Sequence, residues 1–146
     1  MDAYTQMKSI EDAIATILIA NPIDGVNGIV VDKELKQGNT NPPYIKVFLD
    51  DSPVDGITLN MGELWYYRFT IMVVADSYAS TEASQHKRIA LQISSLLLQS
   101  TNRRLNDTVE DTIRRVWSPD YKKELPSGQL FGSAVTMEAR FKLDNL

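Results

Sequence analysis

The first twenty residues repeat apolar side chains every three or four positions. The apolar members of this repeat are Met7, Ile10, Ile14, Ile17 and Leu18. That spacing places them on one side of an α-helix, with polar residues on the other side. Pro22 disfavours helical geometry at Asn21, so the helix has to stop there. The pattern predicts a helix from about Ala3 to Ala20.

Alternating or nearly continuous apolar residues then predict β-strands. The clearest of these strands are 44–49, 64–75 and 135–143. Strand 64–75 is apolar on one face and partly apolar on the other, which is typical of a central strand covered on both sides. A short strand is also predicted around 26–31. The segment 109–125 is predicted to be a strand or an arm, which Pro119 interrupts.

A second amphipathic helix is predicted from Ser77 or Ser80 to about Ser100, with Ile89 and Ile93 in its apolar stripe. The segments 32–43 and 50–63 are polar or rich in Asp, Pro and Gly, and are predicted to be long loops. The predicted order of elements is helix, strands, helix, strands. It differs from the strict alternation of strand and helix in a doubly wound sheet. We therefore expect an α+β fold, with a mainly antiparallel β-sheet and two α-helices packed on one face. Residues 1–146 should form one domain. The predicted core is Ile14, Ile17, Phe69, Ile71, Ile93, Leu96, Leu97, Val135, Met137 and Phe141.

Composition limits the classes of function. The chain has 146 residues, a formal net charge of −4 and no cysteine. Disulfides, thiolate nucleophiles and cysteine-based zinc sites are thus excluded. An acidic balance argues against tight phosphate binding, although a local basic patch with Trp117 and Tyr121 is a possible nucleic-acid contact. We expect no signal peptide and no membrane span, and therefore a cytosolic protein where it is made.

Candidate catalytic and metal-binding residues are few. A calcium-type loop could start at Asp51, but Pro53 and Gly62 stand where the pattern needs oxygen ligands. His86 is the sole histidine and lies among polar neighbours, which predicts an exposed side chain. The glycines match no phosphate-binding loop, and no GxSxG sequence is present. We expect neither an enzyme nor a cofactor.

Large aromatic residues in the irregular segment 117–131 either tuck under the domain or meet a neighbouring molecule. Mixed charge beside them suits the rim of a protein contact. The predicted interface residues are Asp50, Asp51, Asp55, Arg114, Arg115, Trp117, Tyr121 and Phe131. A module that binds a small molecule or peptide on the aromatic strand face is the alternative.

The order of elements is similar to that of a known family. The opening helix ends at Asn21-Pro22, and Pro42-Pro43-Tyr44-Ile45 starts a strand. A long aromatic strand, 65–76, ends in Val-Ala-Asp, and a helix follows from Ser80-Thr81-Glu82. An alternating strand ending at Leu143 closes the chain. This layout resembles the tail-terminator and tail-completion (head–tail joining) proteins of long-tailed bacteriophages. The likeness covers nearly the whole chain in element order and length, without a shared motif.

The resemblance implies a subunit that closes into a homo-oligomeric ring, usually a hexamer. Such a ring sits on the last ring of the tail-tube protein, stops tube growth and presents a surface to the head–tail connector protein. DNA passes through its lumen without specific binding. The implied location is the head-proximal end of the virion tail, and the host cytoplasm during assembly. Other phage neck proteins and tail-tube proteins share the same layout and remain alternatives.

Overall fold

The structure is a computed structural model that describes residues 3–49, 57–59, 62–75, 83–105, 108–109 and 111–143. Its helices are α1 (Ala3–Ala20) and α2 (Ala83–Leu97). Its strands are β1 (Gly28–Val31), β2 (Glu34–Gly38), β3 (Tyr44–Leu49), β4 (Ile57–Leu59), β5 (Gly62–Val74), β6 (Asp111–Leu125) and β7 (Gly128–Leu143). The bounds of α1 and β3 coincide with those predicted from the sequence.

The strands form a single sheet in the order β2-β1-β3-β5-β7-β6, and β4 pairs with β5 at one end. Every pair is antiparallel except β1 with β3. That parallel pair arises because β2 folds back on β1 before the chain returns as β3. The predicted α+β class with a mainly antiparallel sheet is confirmed.

Both helices pack on the same face of the sheet. Ile14 of α1 and Ile93 of α2 share one buried cluster with Phe69 of β5. The predicted core residues buried there are Ile14, Ile17, Phe69, Ile71, Ile93, Leu97, Val135 and Met137. Leu96 is half-buried and packs against the same cluster, while the Phe141 side chain lies outside the described residues. The apolar stripes of the helices and the alternating apolar residues of the strands therefore pack into one core, as expected from helical and strand periodicity.

The opposite face of the sheet has a smaller apolar cluster. It is formed by Val30, Tyr44, Met72, Val74 and Ala134. The β6–β7 hairpin runs past the end of β5, where Val74 pairs with Gly132, and its end packs on this cluster through Tyr121 and Leu130. We call residues 119–131 the hairpin arm. The side chains of β5 from Phe69 to Val74 are buried on both faces of the sheet, as predicted for a central strand covered on both sides.

Two short strands lie where the sequence predicts loops. β2 falls inside segment 32–43, and β4 falls inside segment 50–63. The side chains of β2 are exposed apart from the half-buried Lys36, so no apolar alternation marks it. Backbone pairing with a neighbouring strand forms such edge strands, and hydrophobic patterning does not detect it. Neither described helix is both long and apolar enough to cross a membrane.

Candidate functional site

An exposed apolar pair lies on the outer edge of the sheet. Val116 is 54% exposed and Trp117 is 37% exposed. Both belong to β6, the last strand in the sheet order, which pairs with β7 on one side. Within the described residues no strand pairs with its other side. Among the predicted interface residues whose side chains are described, Trp117 is thus the most exposed, and it lies on a strand edge that no described strand pairs with.

The other two predicted aromatic residues turn inward. Phe131 is only 9% exposed, and its ring packs edge-on against His86 with centroids 5.8 Å apart. Tyr121 is half-buried on the sheet face opposite the helices. The sequence left open whether these aromatic residues pack within the domain or meet a neighbouring molecule. Both Phe131 and Tyr121 pack against their own domain.

The charged members of the predicted interface are less completely described. Arg114 pairs with Met137 in the ladder, next to an irregularity that separates Arg114 from Val116. The side chains of Arg114 and Arg115 lie outside the described residues, as do Asp50, Asp51 and Asp55. Most of the calcium-type loop starting at Asp51 also lies outside them.

The prediction that His86 is exposed is wrong. The residue is 2% exposed, because α2 turns it towards Ser133 of β7 and Phe131 of the hairpin arm. Its Nδ1 lies 2.5 Å from Ser133 Oγ, and Ser133 Oγ donates a hydrogen bond to Pro119 O at 2.7 Å. The Gln85, Lys87 and Arg88 neighbours suggested a polar helix face, but a single helical position can still face inward.

This chain of hydrogen bonds favours one histidine tautomer. Ser133 has one hydroxyl hydrogen, and Pro119 O can only accept. When that hydrogen goes to Pro119, His86 Nδ1 has to carry its own proton and donate it to Ser133 Oγ. A Ser–His pair works in nucleophilic catalysis when the histidine accepts from the serine, which is the reverse arrangement. Ser133 is also fully buried. The triad-like pair therefore links α2 to β7 and, through Pro119, to the hairpin arm.

Burial lowers the pKa of His86, and the charge of Lys87 lowers it further, whereas Asp120 opposes both effects. The neutral ring is the form that suits this site. Protonation would place a charge in a buried position beside Phe131. Protonation of His86 is therefore expected to weaken the contact between α2 and the hairpin arm.

A second surface lies between the loop after α1 and helix α2. It is an open groove of about 610 Å³ that includes Ile23, Arg88 and Leu91. Arg88 donates hydrogen bonds to Asp24 O at 3.1 Å and to Gln92 Oε1 at 2.8 Å. These bonds link the loop after α1 to helix α2 along the wall of the groove. Leu91 is 39% exposed, close to the exposure of Trp117, but it lies on a helix with no open backbone edge.

Comparison with known proteins does not assign this chain to a family. No protein-family model matches it, and no curated protein sequence matches it either. Among the described residues, no group of three or more His, Asp or Glu side chains is arranged to hold a metal ion.

Proposed function

We propose that this protein is a structural subunit of a bacteriophage tail, a ring-forming tail terminator. The observation that carries the proposal is the exposed Val116–Trp117 pair on the unpaired edge of β6. A long edge strand presents open N–H and C=O groups, and β6 protects part of its edge with two register irregularities and with Pro119. Large exposed apolar residues on this edge favour a surface that a partner covers.

A closed ring needs two different complementary surfaces on every subunit. The sheet offers two different ends. β6 is long and carries Trp117, a residue type common at the energetic centre of interfaces. β2 is short and polar, with Leu35 48% exposed. Head-to-tail contact between a β6 end and a β2 end would repeat around a ring and leave no sheet edge open.

The particular place in the virion comes from the resemblance in element order. In this proposal the ring caps the tail-tube protein, meets the head–tail connector protein and lets DNA pass through its lumen. A chain of net charge −4 is compatible with a channel that must not grip phosphates. Another neck protein or a tail-tube protein would use the same edges. A peptide-binding module that uses the β5 aromatic face is less favoured, because Phe69, in the described part of that face, is fully buried beneath the helices.

The test compares two truncations of similar exposure, Trp117→Ala on the edge strand and Leu91→Ala on α2. Circular dichroism and melting first establish that both variants fold. Particles assembled with each variant are then imaged, and tail length and the fraction of tails joined to heads are measured. We expect Trp117→Ala to give tails of irregular length that fail to join heads, and Leu91→Ala to behave as the wild type. A folded Trp117→Ala chain that gives normal, joined tails would refute the proposed interface.

A further inference from the structure

The hairpin arm, residues 119–131, extends beyond the sheet, because β5 pairs with β7 only as far as Val74 and Gly132. Beyond that level the two arm strands pair only with each other among the described residues. A further backbone bond, from Ala75 N to Phe131 O at 2.7 Å, joins the arm to the end of β5. An isolated two-stranded hairpin is at best marginally stable in water. The arm therefore depends on side-chain contacts with the rest of the chain.

The base of the arm is a point where the hairpin can bend. On β6 the ladder is irregular between Ser118 and Tyr121, so Pro119 and Asp120 have no partner in β7. An irregularity of this kind interrupts the ladder and bends the strand. On β7, Ser133 lies opposite the irregularity and is likewise without a ladder partner in β6. The two strands are thus least tightly joined at this level.

Helix α2 holds the arm at its base. His86 is hydrogen-bonded to Ser133 Oγ, which donates in turn to Pro119 O at 2.7 Å, so this contact reaches both strands. Lys87 Nζ also lies 3.9 Å from Asp120 Oδ1, but both of these side chains are exposed, and such a pair contributes little. The buried histidine is therefore the stronger of these two links between α2 and the base of the arm.

A proton on His86 opposes this link. The described charged groups beside the ring are Lys87 on α2, with Asp120 and Lys122 on the arm, and Lys122 pairs with the Phe131 that packs on the ring. Two positive charges and one negative charge do not favour a further positive charge. Burial lowers the pKa of His86, and Lys87 lowers it further, against the opposing effect of Asp120. An open arm would return the ring to water and its pKa towards 6.5, so acid has to favour opening.

We propose that the hairpin arm is a hinged strap, which opens as a unit when His86 is protonated while the rest of the domain stays folded. Opening bends the chain at the β6 irregularity and lifts Tyr121 and Leu130 from the smaller apolar cluster around Val74. The main core beneath the helices includes no residue of the arm among those described, so it does not have to unfold. This opening does not depend on the tail-terminator function.

The first experiment follows amide hydrogen exchange by NMR in the full-length protein between pH 7.5 and pH 5. Protection factors correct for the intrinsic pH dependence of exchange. We expect protection of the arm amides to fall about threefold to tenfold from pH 6.5 to 5.5, while the β5 amides from Phe69 to Val74 keep theirs. His86→Gln cannot titrate and should give arm protection that is independent of pH. Lys87→Gln is the matched control on the exposed side of the same contact and should keep the fall.

Two results would overturn the strap. One is a pH-dependent loss in the arm that persists in His86→Gln. The other is a wild-type arm whose protection changes by less than twofold, or falls together with that of β5, since the latter means unfolding of the whole domain.

The second measurement needs no variant and decides the matter if His86→Gln does not fold. The ring of His86, the single histidine, is titrated by NMR in the wild-type chain. Arm protection should begin to fall near pH 6.5 and level off below the midpoint of the ring. A fall that begins only near pH 4, where carboxyl groups titrate, would show that His86 does not control the arm.

Discussion

The hydrogen-bond chain through Ser133 offers a direct test of how the hairpin arm is held. Ser133→Ala removes a single oxygen atom that is hydrogen-bonded to His86 Nδ1 and donates a hydrogen bond to Pro119 O. His86 is 2% exposed and Ser133 is fully buried, so water has little access to the groups left behind. The backbone and the apolar contacts of the arm stay in place.

The magnitude follows from the two partners. Leaving one buried donor or acceptor unsatisfied costs about 1–3 kcal/mol. Ser133→Ala leaves both a donor on His86 and an acceptor on Pro119, so the free energy of unfolding should fall by about 2–6 kcal/mol. That loss is a large part of the stability of an ordinary domain.

Urea unfolding at pH 7.5 measures the change, with Ser95→Ala as the matched control. Ser95 lies on the exposed side of α2, and its truncation should change the free energy of unfolding by less than about 0.5 kcal/mol. Nitrogen-15 NMR of the wild-type ring should show the proton on Nδ1. A cost for Ser133→Ala no larger than that of Ser95→Ala, or a proton on Nε2 in the neutral ring, would refute the proposed link.

Three further outcomes follow from the same structure. The pKa of His86 is lowered in the folded protein from its usual value of 6.5. As pH falls through 6.5 the unfolded chain therefore takes up the proton before the folded chain does, and the free energy of unfolding should decrease by at most about 1.4 kcal/mol per pH unit. His86→Gln should abolish this slope in urea titrations, and an unchanged slope would contradict the assignment, because the chain has no second histidine. Phe69→Ala should cost about 3–5 kcal/mol in denaturant melts because its ring is fully buried, whereas a loss below about 1 kcal/mol would show that it is not. The melting temperature should not change with EDTA, calcium, zinc or ATP, and a reproducible shift with any of them would reveal a native-state ligand.

Local periodicity accounts for the parts of the fold that the sequence predicts well. α1 begins and ends as predicted because its apolar stripe and Pro22 act within one segment. The alternation in β3, β5 and β7 likewise reports which residues face the core, and Phe69 and Met137 are buried there. Each of these features depends on neighbours along the chain, so the sequence contains enough information to predict it.

Pairing partners and the direction of single side chains depend on contacts between distant segments. β2 and β4 exist because a neighbouring strand supplies their hydrogen bonds, and their own residues do not show it. His86 and Ser133 are 47 positions apart, and only the docking of α2 on the hairpin arm brings them together. Glu11 lies on an amphipathic helix, and its burial depends on the β1–β2 turn, which lies beside it in the folded chain.

The candidate interface shows the same difference between what local sequence predicts and what distant contacts decide. The sequence alone indicated that segment 117–131 carries aromatic residues without a regular pattern, and that these either pack within the domain or meet a partner. The tertiary structure buried Phe131, packed the half-buried Tyr121 against the sheet and left Trp117 partly exposed on the open edge of β6. The physical reason is that exposure is a property of the assembled sheet: a side chain is buried only where another segment, distant along the chain, comes to lie against it.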